Sequence, residues 1–202
     1  MVSKRWWTIE KIGPLNGVRV SCFLKGGVSI SFPQIINEFP AWSDREKREF
    51  LGAYSLKPEL TEEDERIIEF LMDSRDTSIW KRLAILSTRH PDKERVLDFL
   101  VGGLRTCPGS KANFLVALGL LNDPRAVQPL REVYAELKRA LADDASPEAG
   151  LARFNDILCC SKSLHMLTGD SEYKRQMDDL LHHRSERVRK LAHFVSTRDL
   201  RE

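Results

Sequence analysis

Short amphipathic helices follow one another along most of this 202-residue sequence, and they constrain its fold more than any other feature. Apolar residues recur at three- and four-residue spacing, and proline or a small polar residue stands where each segment begins. Ser43 followed by Glu46, and Thr61 followed by Asp64, are capping boxes. Further start signals lie at Thr77, Pro91, Ser110, Asp123-Pro124, Ser146-Pro147-Glu148 and Ser185, and Gly169 is placed to stop the helix before it. The pattern predicts a mainly α-helical protein.

The first forty residues have the two-residue period of β-strands. Residues 18–24 and 28–32 alternate apolar with polar side chains around Lys25-Gly26-Gly27. A three-residue loop places Leu24 opposite Val28 and brings the apolar faces together, whereas a two-glycine loop does not. Residues 6–12 offer a third strand. Since an isolated hairpin is only marginally stable, we expect residues 1–40 to dock as a β-hairpin on a helical domain, residues 41–202.

The composition is that of a chain that buries a core, with 42% hydrophobic and 31% charged residues and a formal net charge of +2. No apolar run approaches the ~18 residues of a membrane-spanning helix, and the N-terminus has no signal-peptide core. We therefore expect a soluble, cytoplasmic protein that does not enter a membrane. Cys22, Cys107, Cys159 and Cys160 lack Cys-x-x-Cys spacing, which predicts reduced and mostly buried thiols.

One segment carries a resemblance to a known family. Residues 117–130, ALGLLNDPRAVQPL, resemble a HEAT-like repeat of the phycobilisome-lyase type. In that family an Ala-Leu-Gly-x-Leu helix ends in an Asp-Pro turn, and an Ala-Val-x-x-Leu helix follows. Residues 185–192 resemble the start of another repeat, and the likeness spans about residues 61–196. It implies a short α-α solenoid of helical pairs that binds a partner on its stacked faces. A lengthened third unit, the insertion at 142–149 and the N-terminal hairpin depart from the family pattern.

Basic residues are concentrated between residues 77 and 140, where eleven bases meet six acids. Arg131 and Lys138 are seven residues apart, so they share one helix face, which we expect opposite the leucines of the same helix. Four further residues extend this predicted partner-binding face, namely Arg125, Gln128, Arg105 and Lys174. The alternative interpretation is an ordinary solvated helix face.

The sequence contains no common catalytic motif. Walker, Gly-x-Ser-x-Gly, His-Glu-x-x-His and Gly-x-Gly-x-x-Gly patterns do not occur. Asp143-Asp144 and Asp178-Asp179 stand among polar residues, as solvated carboxylates do. We therefore predict a non-enzymatic scaffold module that binds a protein partner and uses no cofactor or metal.

Two other classes of function stay open. Basic blocks and Trp80 favour a nucleic-acid-binding HEAT-like protein, including one with DNA-repair glycosylase activity, whereas the small net charge and the acidic blocks at 61–76 and 141–172 disfavour it. A small array can also plug the cleft of a partner, as an inhibitor or immunity-type protein does. Capture from a native lysate with and without nuclease separates these classes, and the oligomeric state stays open.

Overall fold

The computed structural model describes residues 6–12, 17–24, 28–29, 32–55, 57, 59–74, 76–143 and 150–198. Contacts divide the chain into two units, Met1–Pro91 and Asp92–Glu202. The helices between the N-terminal strands and Pro91 belong to the same unit as those strands. The expected domain boundary at residue 40 stays a prediction. Each unit is described separately below.

A three-stranded antiparallel sheet begins the first unit, with the order β1 (Trp6–Ile12), β2 (Gly17–Leu24) and β3 (Val28–Ser29). Leu24 pairs with Val28, which is the register that the three-residue loop predicts. Loop residues 25–27 and residues 30–31 lie outside the described part of the chain.

The last strand was predicted to extend to Phe32, but Phe32 begins a helix instead. Its backbone N–H donates to a carboxylate oxygen of Glu63 at 2.8 Å rather than to a strand ladder. Pro33, the next residue, has the fixed φ of a first helical turn. The helices of this unit are α1 (Phe32–Glu38), a one-turn 3-10 helix (Phe39–Ala41), α2 (Asp44–Ser55), α3 (Glu62–Met72) and α4 (Thr77–Ser87).

The predicted helix starts of α2 and α3 are confirmed by their caps. The backbone N–H of Ser43 donates to Glu46 at 2.8 Å, and the N–H of Glu46 donates back to the Ser43 hydroxyl at 3.3 Å. Thr61 and Asp64 form the reciprocal box that their spacing predicts. The cap of α4 is Asp76 rather than Thr77, because the Asp76 carboxylate accepts the N–H of Ser78.

Aromatic rings fill the centre of the helical part of the first unit. Phe39 contacts Trp42, Phe50 and Phe70 at centroid distances of 5.2, 5.9 and 6.5 Å, and Phe50 contacts Tyr54 at 4.7 Å. Tilted and edge-on arrangements of this kind add to the stabilisation that burial provides.

Asp64 connects the start of α3 to the end of α2. Its carboxylate accepts hydrogen bonds from the Tyr54 hydroxyl at 2.5 Å, the Lys57 ammonium at 2.6 Å and the Thr61 N–H at 2.9 Å. Burial by itself would raise the pKa of Asp64, but these donors outweigh it and hold the pKa below its ordinary value. The carboxylate is therefore ionised, buried and fully paired.

The second unit contains only helices within its described residues. They are α5 (Lys93–Thr106), α6 (Ala112–Leu121), a one-turn 3-10 helix (Pro124–Ala126), α7 (Val127–Asp143), α8 (Gly150–Thr168), α9 (Ser171–Leu181) and α10 (Glu186–Thr197). Gly169 ends α8 with a φ of +70°, as predicted, since a residue without Cβ adopts this backbone easily. The predicted start at 146–148 lies outside the described residues.

Helix α8 is the centre of the second unit and packs against α6, α7, α9 and α10. Its approach to α6 is close, because a Cβ on Gly119 would lie 2.5 Å from the Ser163 hydroxyl oxygen. That hydroxyl donates to the Leu115 carbonyl at 2.8 Å. The Cys160 thiol donates to the Leu130 carbonyl of α7 at 3.3 Å. Small polar side chains thus let α8 contact two neighbours at once.

Asp156 of α8 also caps α6 from a distance. Its carboxylate accepts the Lys111 N–H at 3.1 Å and the Ser110 hydroxyl at 2.6 Å, next to the first residue of α6. The Lys111 ammonium donates to the Leu104 carbonyl near the end of α5. The short turn between α5 and α6 is therefore bonded at both of its ends.

The cysteine prediction is confirmed for three of the four residues. Cys107, Cys159 and Cys160 are free and buried, and the side chain of Cys22 lies outside the described part. Burial raises the pKa of the Cys159 thiol to about 12, with the nearby Asp156 charge as the second cause. The Cys159 thiol is therefore protonated at neutral pH.

Candidate interaction surface

Helix α7 carries three of the six residues predicted to bind a partner. Leu130 and Tyr134 are buried on its inner side. With about 100° between successive residues, Arg131 lies roughly 60° and Lys138 roughly 40° from Tyr134. The two cations do share a face. That face borders the buried side and does not oppose it, so the expected orientation is wrong. The two cations lie only about 80–100° from Leu130 around the helix, and the buried Tyr134 lies between them and Leu130.

The two cations of α7 contact a pair of tyrosines. The Arg131 Nε donates to the Tyr173 hydroxyl at 3.4 Å, and the Lys138 ammonium lies 5.5 Å from the centroid of the Tyr134 ring. The two rings meet edge to face at 5.3 Å and 87°. The Tyr134 hydroxyl donates to the Gln176 side-chain oxygen at 3.4 Å. We call Arg131, Tyr134, Lys138 and Tyr173 the tyrosine–cation cluster.

Burial and the nearby acid Glu172 affect the ionisation of Tyr134 in the tyrosine–cation cluster. Burial raises the pKa of Tyr134 to about 12, and the negative charge of Glu172 adds to the shift. The hydroxyl therefore stays protonated at neutral pH and remains a hydrogen-bond donor.

Arg125 and Gln128 are already paired with acids of the same segment. The Arg125 guanidinium lies 2.8 Å from Asp123 and holds the pKa of that carboxyl below its ordinary value. The Gln128 amide donates to Glu132 at 3.0 Å. Both side chains are exposed, but their polar atoms have partners. The positive charge of Arg125 is therefore balanced by Asp123, and Gln128 carries no charge.

Lys174 and Arg105 are exposed, but they lie on different helices from the rest. Lys174 follows Tyr173 on α9, which places it next to the tyrosine–cation cluster. Arg105 lies in the last turn of α5, where a cation is favourable beside the partial negative charge of a helix end. This interaction stabilises the end of α5 whether or not Arg105 also contacts a partner.

A second surface, on α10, was not identified from the sequence. Phe194 is 57% exposed, although it is a large apolar residue. Arg187 and Lys190 precede it by seven and four residues, so they lie within about 40° of it around the helix. Arg198, the residue just after the end of α10, places its guanidinium 5.7 Å from the centroid of the Phe194 ring. We call Arg187, Lys190, Phe194 and Arg198 the α10 stripe. Its signal in the sequence is the helical phase, which puts Phe194 about 120° from Val188.

The opposite side of α10 attaches the helix to the second unit. Val188, Ala192 and Val195 are buried there. The Lys162 ammonium of α8 donates to the carbonyls of Val195, at 2.5 Å, and of Arg198. These contacts fix the end of α10 and leave the α10 stripe facing outward.

No helix among the described residues is both long and apolar enough to cross a membrane. The same residues contain no group of three or more His, Cys, Asp or Glu side chains placed to hold a metal ion.

Comparisons with protein-family models, with curated proteins and with solved structures found no match to this chain. The functional assignment therefore depends on the residues and geometry of the chain itself.

Proposed function

We propose that residues 92–198 form a HEAT-like array of helical pairs that binds another protein and catalyses no reaction. The observation that carries this proposal is the packing of α8. It contacts α6 and α10, and each of these three helices also packs against the helix before it in the chain. Helices that pack on both their sequence neighbours and the next pair are the arrangement by which a stacked repeat buries its core.

Residues 117–130, which resemble a HEAT-like repeat, have a physical role that fits such an array. Gly119 lies where α6 meets Ser163 of α8, so the glycine of the Ala-Leu-Gly motif permits two helices to pack closely. Asn122 ends α6 in the left-handed conformation with a φ of 53°. Asp123 and Pro124 then begin the next helical segment, with the Asp123 carboxylate accepting the Arg125 N–H. The motif thus encodes a turn between stacked helices.

The tyrosine–cation cluster, with Lys174 beside it, is the proposed protein-binding face on α7 and α9. Arg131, Lys138 and Lys174 are its exposed side chains, and the two buried tyrosines contact the first two of them from below. Arginine is a residue type enriched where proteins bind one another. Exposed cations at its border would direct association with an acidic partner. Arg125 and Gln128 would contribute through their already paired groups, and Arg105 would act at the edge of the surface.

A photo-crosslinking experiment in the native lysate tests this function. Lys174 is replaced by a photoreactive amino acid, and the matched control carries it at Arg139, an exposed residue about 90° around α7 from the midpoint of Arg131 and Lys138. After nuclease treatment we expect a protein adduct from position 174 and a much weaker one from position 139. Equal adducts would contradict the proposed face.

The nuclease step distinguishes the partner class. A partner that disappears with nuclease is held by nucleic acid, and the affinity would then fall steeply with salt, with a slope of about −0.9 per phosphate contacted on duplex DNA. A protein partner survives the nuclease and shows a shallower slope. Trp80, which favoured nucleic acid in the sequence, is half-buried, and its ring N–H donates to the Ser74 carbonyl at 2.9 Å.

A further inference from the structure

We propose that the α10 stripe binds a short acidic segment of a partner protein, with one large apolar side chain of that segment lying on Phe194. This inference rests on the proposed protein-binding function and assigns it a second contact with a stated ligand chemistry. The stripe lies on and just after α10, whereas the six predicted residues lie on α5, α7, α9 and the 3-10 helix Pro124–Ala126.

The apolar part of the ligand follows from Phe194. Only Leu151 and Phe194 are exposed large hydrophobics among the described residues, at 37% and 57%. A single exposed apolar side chain is ordinary on a protein surface. Phe194 differs because cations precede and follow it along the same face, and the Arg198 guanidinium lies 5.7 Å from its ring centroid. An aromatic ring bordered by cations offers both an apolar contact and charge recognition.

The length of the ligand follows from the helix. Arg187 and Arg198 are eleven residues apart, or about 16 Å along a helix axis. An extended chain covers this distance with about five residues. Lys190 and Arg198 lie about 6 Å on either side of Phe194. The fitting ligand is therefore an apolar residue with acids about two positions before and after it.

The cations are available to an incoming carboxylate. Lys190 pairs with Glu186 at 2.7 Å, but both side chains are mostly exposed, at 77% and 67%. An exposed pair of this kind contributes little free energy, so an external acid can replace Glu186. Glu186 is the only acid on α10, so the charge of this face is dominated by Arg187, Lys190 and Arg198.

The same features favour a peptide over a nucleic acid. Single-stranded nucleic acids are bound by successive aromatic rings that stack on successive bases, together with a groove that follows many phosphates. The α10 stripe presents one ring and three cations over about 16 Å. One apolar anchor with a few flanking charges matches an acidic peptide in number and spacing.

Fluorescence anisotropy with synthetic probes tests the proposal on the full chain. The probes are short fluorescein-labelled peptides in which acids flank a central Phe, Leu or Trp, with a central Ser version as the peptide control and single-stranded DNA as the competing class. We expect the apolar-centred peptides to bind at least about tenfold more tightly than the Ser version. Phe194→Ala and Arg187→Glu should each weaken that binding about tenfold, while Phe194→Leu should retain most of it.

Arg139→Glu serves as the matched charge control and should leave peptide binding unchanged. Circular dichroism melts of every variant verify that α10 remains folded. Absence of peptide binding, binding that is insensitive to Phe194→Ala, or tighter binding of DNA at this stripe would each overturn the proposal. Each of these results leaves the nuclease-resistant adduct at position 174 as an independent test of the proposed function.

Discussion

Gly119 and Ser163 meet at the closest approach of α6 to α8, where an added Cβ on Gly119 would lie 2.5 Å from the Ser163 hydroxyl oxygen and 3.0 Å from its Cα. The Cα belongs to the backbone and cannot turn away as the end of a flexible side chain can. The two helices would have to separate to admit a methyl group at this position.

We therefore expect Gly119→Ala to destabilise the second unit by about 1–3 kcal/mol, the usual cost of overpacking a core. Urea unfolding followed by circular dichroism measures the loss. Gly102→Ala on α5 is the matched control, because a Cβ there meets nothing within 4 Å. Removing a glycine from a helix interior without a clash should stabilise by up to about 1 kcal/mol. A loss at Gly102 equal to that at Gly119 would contradict the close packing.

The Arg131→Glu, Lys138→Glu variant should keep its free energy of unfolding within about 1 kcal/mol of the parent. Both cations are exposed, and each loses one contact with a tyrosine, either a hydrogen bond or a cation–π contact. Binding of the cross-linked protein partner should nevertheless weaken, since two attractions become repulsions. Parallel melting and binding measurements separate the two effects. Unchanged binding would mean that the tyrosine–cation cluster does not bind the partner.

The stability of the first unit should depend on pH through Asp64. Its pKa in the folded protein is held below the unfolded value of about 3.9, so its contribution is complete above that value and is lost as the pH falls through the folded pKa. Asp64→Asn should cost about 1–3 kcal/mol at neutral pH. The difference between variant and parent should shrink in acid. Urea titrations from pH 7 to pH 2 measure it, and a difference that is constant with pH would contradict the assignment.

Cys159 and Cys160 should resist alkylation in the folded protein. Burial raises the pKa of both thiols, and only the thiolate reacts rapidly. Iodoacetamide labelling at neutral pH, followed site by site with mass spectrometry, should modify them only after urea is added. Fast labelling before unfolding would show that α8 opens locally.

Local signals in the sequence predicted local structure well. The Ser43 and Thr61 caps depend on groups three residues apart, so their spacing is sufficient evidence. The stop at Gly169 is of the same kind. Phe32 was assigned to a strand because its alternation fits one, but its N–H donates to Glu63, which is 31 residues away.

The candidate surface was harder to predict, because it depends on contacts between distant residues. Arg131 meets Tyr173 across 42 residues, and no periodicity within α7 reveals that pairing. Helical phase alone could have shown that Lys138 borders Tyr134, and that Phe194 leaves the buried stripe of α10. The sequence alone could not show that Arg125 is paired with Asp123 and that the neutral Gln128 amide is bonded to Glu132.

The bond from Asp156 to the Lys111 N–H makes the start of one helix depend on another that lies 45 residues later in the chain. A helix end with only local bonds exchanges its first amide hydrogens by fraying, without wider unfolding. The Lys111 amide can exchange only when the Asp156 carboxylate releases it, and that side chain is itself buried on α8. Its exchange rate with deuterated water should therefore follow the opening of the whole second unit, so that one backbone hydrogen reports on the cooperativity of six helices within the described residues.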